Sequence, residues 1–244
     1  MFYDKIKKQR TLLSKEARWN QMTGNGGSKM KKNEVFSKRY LITNEVLNAV
    51  THGIGVGLSI AGLIVLLLKG AQTGSTLEIV SYSIFGASLI LLYLCSTLYH
   101  SLIFTRARKL FKIFDHSSIY VLIAGSYTPL CLITIGGAKG WALFYVVWVI
   151  AILGIIYKSL WIEKFKNLST VLYIGMGWLC MVAIKELYAG LGTNGFGLLL
   201  AGGLAFTIGA AFYSMRSVKF MHVLWHLFVM TGTGFMYFAI LLYT

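Results

Sequence analysis

Long apolar runs separated by short polar connections dominate the chain after residue 43. A helix needs roughly 20 residues to cross ~30 Å of hydrocarbon. Runs of about this length recur seven times, at residues 44–68, 77–104, 113–135, 140–157, 169–187, 195–213 and 220–243. They are continuously apolar rather than alternating, which argues against a transmembrane β-barrel. The pattern predicts an all-α membrane protein, a seven-transmembrane helix bundle.

The basic residues predict the orientation of this bundle. Of the 23 lysines and arginines, 20 fall in residues 1–43 and in the second, fourth and sixth connections, whereas Lys69, Lys139 and Lys185 fall on the other side. By the positive-inside rule the N-terminus is cytoplasmic and the C-terminus outside, as in a multi-pass protein of the cytoplasmic (inner) membrane. Topology also explains the net charge of +15, so no nucleic-acid partner is predicted.

Composition agrees with a single membrane domain over residues 44–244. The chain is 57% hydrophobic and 13% charged, and its mean hydropathy is +0.69. Its three cysteines lie in apolar segments, so neither a disulfide framework nor a thiolate cluster is expected. Residues 1–43 read as a basic, flexible cytoplasmic leader. Met30 is followed by two lysines and is a plausible start, so residues 1–29 are hypothesised to be an upstream extension.

Small residues and one proline predict local features of the bundle. Gly53 and Gly57 have the spacing that lets helices approach closely. Pro129, the only proline, should kink the third helix because it removes a backbone donor. Both are structural expectations.

Ionisable residues within predicted spans are few, and most of them converge on one layer. His100, Asp115, His222 and His226 each lie near the cytoplasmic end of a helix in the predicted topology. His222 and His226 are four residues apart and share a helix face, and Ser96 shares a face with His100 in the same way. Three imidazoles and a carboxylate suit a zinc ion. The alternative is that these histidines are structural residues hydrogen-bonded between helices.

A second polar stripe runs along the first helix. Glu45, Asn48 and His52 follow at spacings of three and four, so they share a face that must avoid lipid. His52 lies two turns deeper than Glu45. It is therefore interpreted as a residue that supports the ligands or bonds between helices, rather than as a ligand. His116 points away from Asp115 around its helix and is interpreted as structural.

These motifs carry a family resemblance. The stretches "EVLNAVTHGIG" from Glu45, "STLYHS" from Ser96, "FDHSSIYVLIAGSYTP" ending at Pro129 and "HVLWH" from His222 resemble the bacterial hemolysin III group of the PAQR family. The proteins of this group are relatives of the adiponectin and progestin receptors and, more distantly, of the alkaline ceramidases. The resemblance covers about residues 40–244. It implies a zinc site held by His100, His222 and His226, with a water bridging the metal to Asp115, and it matches Ser96 to a family serine.

The leading functional hypothesis is a zinc-dependent hydrolase acting on a lipid amide or ester from within the cytoplasmic leaflet. Zinc would activate water, Asp115 would orient that water as general base, and Ser96 with the metal would stabilise the oxyanion. Membrane lipids are then both surroundings and substrate. One alternative is a non-enzymatic regulator of membrane or lipid homeostasis with structural zinc, and another is a hemolysin-like cytolytic protein. The sequence leaves the substrate and the oligomeric state open.

Overall fold

The computed structural model describes residues 37–161, 166–215 and 217–244, and these ranges contain helices but no strand. The α-helices are α1 (Lys38–Thr73), α2 (Thr76–Ser101), α3 (Arg108–Pro129), α4 (Gly137–Trp161), α5 (Lys166–Gly177), α6 (Ile184–Ser214) and α7 (Met221–Tyr243). Within the described ranges, six helical stretches are long and apolar enough to cross a membrane. The prediction of an all-α membrane protein is therefore confirmed.

The first helix begins inside the segment assigned to the leader. The side chain of Ser37 accepts a hydrogen bond from the Tyr40 N–H at 3.2 Å, which caps the helix that starts at Lys38. The leader through residue 36, with the hypothesised extension at 1–29, lies outside the described residues.

One membrane-length stretch, Leu168–Ser214, folds back on itself. Its 47 residues would form a straight helix of about 70 Å, more than twice the hydrocarbon thickness. Gly192 leaves helical geometry with φ 64° and ψ −178°, a conformation that favours glycine. The indole N–H of Trp178 donates to the Thr207 hydroxyl at 3.0 Å, although these residues would lie about 43 Å apart in one helix. The two arms therefore lie side by side, at the predicted fifth and sixth spans.

Backbone groups that are exposed where a helix breaks find their hydrogen-bond partners within the protein. The Tyr127 hydroxyl donates to the Gly177 carbonyl at 2.8 Å and accepts from the Cys180 N–H at 2.7 Å, where α5 gives way to a 3₁₀ segment at Trp178–Ala183. Lipid offers no such partner, so a side chain must supply it. Directly after Pro129, where the sequence predicted a kink, the third helix changes to a wider π-helical segment at Leu130–Ile135.

The third helix organises the packing. Among the membrane-length stretches, the one containing α3 is the most buried and α1 is the least. Helix α3 packs against α2 and α4, and α6 packs against α7. The end of α2 lies beside the start of α7, because the His100 ring is 5.1 Å from the His222 ring. Helix α3 begins seven residues after α2 ends. We call this the site end of the bundle.

One close approach of α1 to α2 occurs at Gly55, between the two glycines of the predicted pair. A Cβ atom at Gly55 would lie 2.5 Å from the Tyr93 ring, whereas one at Gly53 would lie 3.8 Å from its nearest neighbour and one at Gly57 would meet nothing within 4 Å. The Tyr93 ring has little freedom to yield, because its hydroxyl is 2.5 Å from the Thr233 hydroxyl on α7. Gly55 thus allows three helices to meet.

We expect Gly55→Ala to lower the thermal stability of the purified protein, by about 1–3 kcal/mol, because the added methyl group overpacks this contact. Gly57→Ala is the matched control, two residues along the same helix, and should lie within about 0.5 kcal/mol of wild type. Thermal unfolding in detergent measures both. Equal melting temperatures for the two variants would contradict the assignment of the contact to Gly55.

Candidate metal centre

Three histidines from two helices come together at the site end. His100 lies in the last turn of α2, and His222 and His226 lie in the first turns of α7. Their ring centroids are 4.8–5.1 Å apart, and one ring nitrogen from each lies within 4.8 Å of the others. This group can hold a metal ion. The structure thus brings together the three residues proposed from the sequence as ligands.

Hydrogen bonds define the available nitrogens of two of these rings. His100 Nδ1 lies 2.7 Å from a Glu45 carboxylate oxygen, and His226 Nδ1 lies 3.3 Å from the Asn48 carbonyl. A carboxylate and a carbonyl can only accept, so each Nδ1 must donate, and the neutral form of each ring then keeps a lone pair on Nε2. The Nε2 of His100 is buried without a hydrogen-bond partner. Ligating histidines in metal sites are held in this way, so the donor set fits a metal ion.

Glu45 is held in turn by Arg108. The guanidinium Nη2 donates to the second carboxylate oxygen at 2.7 Å, and the guanidinium carbon lies 5.1 Å from the centroid of the Tyr99 ring. The guanidinium carries a positive charge, so its pairing compensates the negative charge of the carboxylate inside the bundle. Sequence reasoning missed Arg108 in this role, because it counted only as one of the basic residues in a cytoplasmic connection. The one indication in the sequence was that a carboxylate within a predicted span, Glu45, needs a positively charged or hydrogen-bonding partner.

His52 packs against a member of the group instead of joining it. Its ring stacks on His226 with centroids 3.6 Å apart and planes 15° from parallel, and it meets the Tyr93 ring edge at 5.0 Å. The lone pairs of parallel stacked rings do not converge on one point. His52 therefore supports the position of His226, in line with its interpretation from the sequence. Its own ring nitrogens are buried without hydrogen-bond partners.

Asp115 and Ser96 lie on the wall of an adjoining cavity. This cavity of about 130 Å³ is also lined by His222 and His226. Ser96 is 1% exposed, and an Asp115 carboxylate oxygen lies 3.3 Å from His116 Nδ1. His116, which was interpreted as structural, therefore contacts Asp115 and also lines the cavity. The structure thus brings the two predicted catalytic residues to the same cavity as two of the three histidines.

The cavity extends from this polar end into the apolar interior. Its wall includes Asp115 on α3 and Leu130 at the start of the π-helical segment that follows α3, about 22 Å away at a rise of 1.5 Å per residue. The lining beyond the site end is mainly apolar, with Phe206, Val229 and Met236 among it. A hydrocarbon leaflet is roughly 15 Å thick, half of the ~30 Å core. The lining residues therefore span a distance similar to the thickness of one leaflet, and the wall is polar at the site end and mainly apolar beyond it.

Comparison with known proteins identifies the family. The model of the family described as "Haemolysin-III related" matches residues 40–237. The chain is 48% identical over 202 residues to "Hemolysin-3" of Bacillus cereus, which covers 83% of this chain and 92% of the relative. It is 46% identical over 204 residues to the "Hemolysin-3 homolog" of Bacillus subtilis (strain 168), covering 84% and 96%. It is also 29% identical over 163 residues to the human "Monocyte to macrophage differentiation factor", covering 64% and 67%. The chain belongs to the haemolysin III-related family, as its motifs indicated.

Proposed function

We propose that this protein is a zinc-dependent hydrolase that cleaves an amide or ester bond of a membrane lipid. The observation that carries the proposal is the cavity, whose polar end holds His222, His226, Asp115 and Ser96 and whose remainder is apolar. An acyl chain in the apolar part would direct the carbonyl at its head toward these polar residues. Catalysis benefits from such positioning, because the reacting groups are held together in advance.

His100, His222 and His226 would hold the metal, and zinc fits them best. Zinc accepts three nitrogen ligands in catalytic sites, whereas iron or manganese usually takes more carboxylates and copper often takes cysteine or methionine. When bound, zinc supplies a Lewis acid for polarising a carbonyl and activating water. Glu45 fixes the His100 ring by accepting from Nδ1, and the Asn48 carbonyl does the same for His226. Both rings are therefore already held with Nε2 available to a metal ion, and neither side chain would need to rotate.

Asp115 and Ser96 are the proposed catalytic side chains. The Asp115 carboxylate would accept a proton from the attacking water, as a general base beside the histidines. The Ser96 hydroxyl would donate a hydrogen bond to the carbonyl oxygen as negative charge develops on it. His116 Nδ1 lies 3.3 Å from this carboxylate, and its N–H also has the Lys112 carbonyl as an acceptor at 2.9 Å. Burial of the polar end inside the bundle would strengthen each of these interactions.

We further propose seven crossings, with the N-terminus in the cytoplasm, the C-terminus outside, and residence in the cytoplasmic membrane. The fold-back at Gly192 supports two crossings within Leu168–Ser214. The asymmetry of basic residues supports the orientation. In this orientation the histidines lie on the cytoplasmic side, so the substrate would come from the inner leaflet.

A second candidate function is non-enzymatic. The histidines belong to α2 and α7, and two of them bond to groups of α1, so a metal ion there would link three helices. A regulator of lipid or membrane homeostasis with such a structural clamp would bind zinc without turning over lipid. The name of the Bacillus cereus relative suggests lysis as a third possibility.

Glu45→Gln should weaken zinc binding by about 10- to 100-fold, because the amide no longer provides the charged acceptor that orients His100. Competition with a fluorescent zinc chelator measures the affinity. Glu186→Gln is the matched control, since Glu186 is also paired with a cation, Lys139 at 2.7 Å, but at an exposed position. Unchanged affinity in the Glu45 variant would show that this carboxylate does not support the ligand.

Asp115→Asn should retain zinc and thermal stability but lower fatty-acid release by at least about 100-fold, because the amide cannot accept the proton. The assay is mass spectrometry of products from a panel of ceramides, phospholipids and acyl esters in nanodiscs. Glu78→Gln, near the start of α2, removes a carboxylate far along that helix from His100 and should leave release unchanged. Undiminished release by the Asp115 variant would refute the assigned base.

The same preparation separates the other candidates. If the zinc-loaded wild type turns over no lipid in the panel while His226→Ala lowers its melting temperature, zinc is a clamp and the hydrolase is rejected. Leakage of dye from liposomes at low protein density would support the lytic candidate, and intact liposomes would count against it.

A further inference from the structure

Three exposed cations lie at the site end of the bundle, outside the cavity. Arg106 lies in the connection between α2 and α3, Lys109 lies in the first turn of α3, and Lys219 lies two residues before the start of α7. These segments adjoin the histidine group, because α2 carries His100 in its last turn and α7 carries His222 in its first. The three cations therefore border the candidate metal centre, and none of them lines the cavity.

No carboxylate of the described ranges forms an ion pair with these three side chains. Those ranges contain four carboxylates. Glu45 and Asp115, at the site end, have side chains only 15% and 14% exposed and take their partners within the bundle. Glu78 and Glu186 lie near the starts of α2 and α6, at the opposite end. The described surface at the site end is therefore positive.

Exposed apolar side chains accompany the cations. Leu110 and Phe114 are 51% and 43% exposed, and they are four residues apart on α3, so they share a face of that helix. The stretch Arg108–Ile135 is long and apolar enough to cross a membrane, so an apolar face exposed near its start lies against lipid chains. Val218, next to Lys219, is 50% exposed. Cations beside outward apolar residues are typical of the boundary between lipid head groups and acyl chains.

An anionic phospholipid satisfies both features of this surface. The positive-inside rule explains why cations lie on one side of a membrane protein, but it does not specify what they bind. A guanidinium pairs with phosphate through two parallel hydrogen bonds, and an ammonium binds it as a point charge. The acyl chains of the same molecule would cover the apolar face beside the cations. A soluble acidic peptide would pair with the cations only, so the combination favours a lipid.

We propose that Arg106, Lys109 and Lys219 form a binding surface for the phosphate groups of anionic phospholipids, whose acyl chains lie against Leu110 and Phe114. This surface is separate from the cavity. It goes beyond the proposed function, because it depends neither on zinc nor on turnover, and it holds whichever side of the membrane the site end faces. Its effect is to surround the candidate metal centre with anionic lipid.

Native mass spectrometry of the full-length protein in detergent tests this surface. The protein is titrated with phosphatidylglycerol and with phosphatidylcholine that carries the same acyl chains, and the affinity for each lipid is measured. We expect wild type to prefer phosphatidylglycerol by at least about fivefold, the usual contribution of one lysine or arginine at an anionic membrane surface. The triple variant Arg106→Gln, Lys109→Gln, Lys219→Gln should lower this preference by at least about fivefold.

Lys109→Gln and Lys185→Gln form a matched pair. Lys185 is also an exposed lysine in the first turn of a helix, α6, but it lies at the opposite end of the bundle. Each substitution removes one positive charge. The Lys109 variant should lose part of the preference for phosphatidylglycerol, and the Lys185 variant should keep all of it. Equal losses in the two variants would indicate a general attraction by net charge and would overturn the surface.

The other outcomes are also decisive. Equal affinity of wild type for the two lipids overturns the proposal, whether or not the triple variant folds. Leu110→Asn should weaken the binding of phosphatidylglycerol, and unchanged affinity would show that no acyl chain lies there. Inorganic phosphate or hexaglutamate that binds as tightly as phosphatidylglycerol, and loses affinity in the triple variant, would reassign the surface to free phosphate or to acidic peptides. A protein that binds phosphatidylglycerol at this surface but hydrolyses no lipid would reject only the hydrolase.

Discussion

The rest of the structure depends on one constraint: a polar group surrounded by hydrocarbon must find its partner within the protein. The Tyr127 hydroxyl joins the carbonyl and amide groups exposed where α5 breaks. The Lys69 ammonium bonds to the Leu241 carbonyl near the end of α7 at 2.8 Å. Each such pair joins helices that are distant in sequence. Polar residues, though few, therefore determine which helices meet, while apolar residues provide the contact area.

The pairing of Glu45 with both His100 and Arg108 applies this constraint to the candidate metal centre. The carboxylate lies on α1, the histidine on α2 and the arginine at the start of α3, and both contacts are 2.7 Å long. Removing any one of the three would take a hydrogen-bond partner from another buried polar group, which is more costly here than in water. The same triad orients a ring whose Nε2 faces two further imidazoles. Stability of the bundle and preparation of the site are thus properties of one set of contacts.

The cavity beside the histidines distinguishes the proposed lipid-binding function from a purely structural metal site. A metal-binding group alone is compatible with a clamp between helices, because nothing in three imidazoles requires a substrate. The cavity's polar end beside the histidines and its apolar extension along the third helix are the reason that we propose a lipid ligand. Gly55 contributes indirectly, since it lets α1 approach Tyr93, which in turn lies against His52.

The sequence by itself determined the helical membrane class, the approximate extent of the helices and the identity of the three histidines. Apolar runs long enough to span a bilayer have few alternatives to a helix, and spacings of four residues report a shared helix face without any tertiary information. Ser96, Asp115, Asn48 and Glu45 could be nominated in the same way, because polar residues within spans are rare. The spacing of polar residues within each apolar run was sufficient to nominate these residues.

Only the tertiary structure decided which partner each of these residues takes. Several of these contacts join side chains whose distance depends on how the helices rotate and cross. They are Arg108 with Glu45, His52 with His226, His116 with Asp115, and Lys158 with Ser169. A charge count treats Arg108 and Lys158 as equivalent to any other basic residue near a membrane surface. It cannot distinguish an inward-facing cation from an outward-facing one, because rotation about a helix axis is set by packing against neighbouring helices. The same reason explains why Gly55, and not the spaced pair around it, lies at the helix contact.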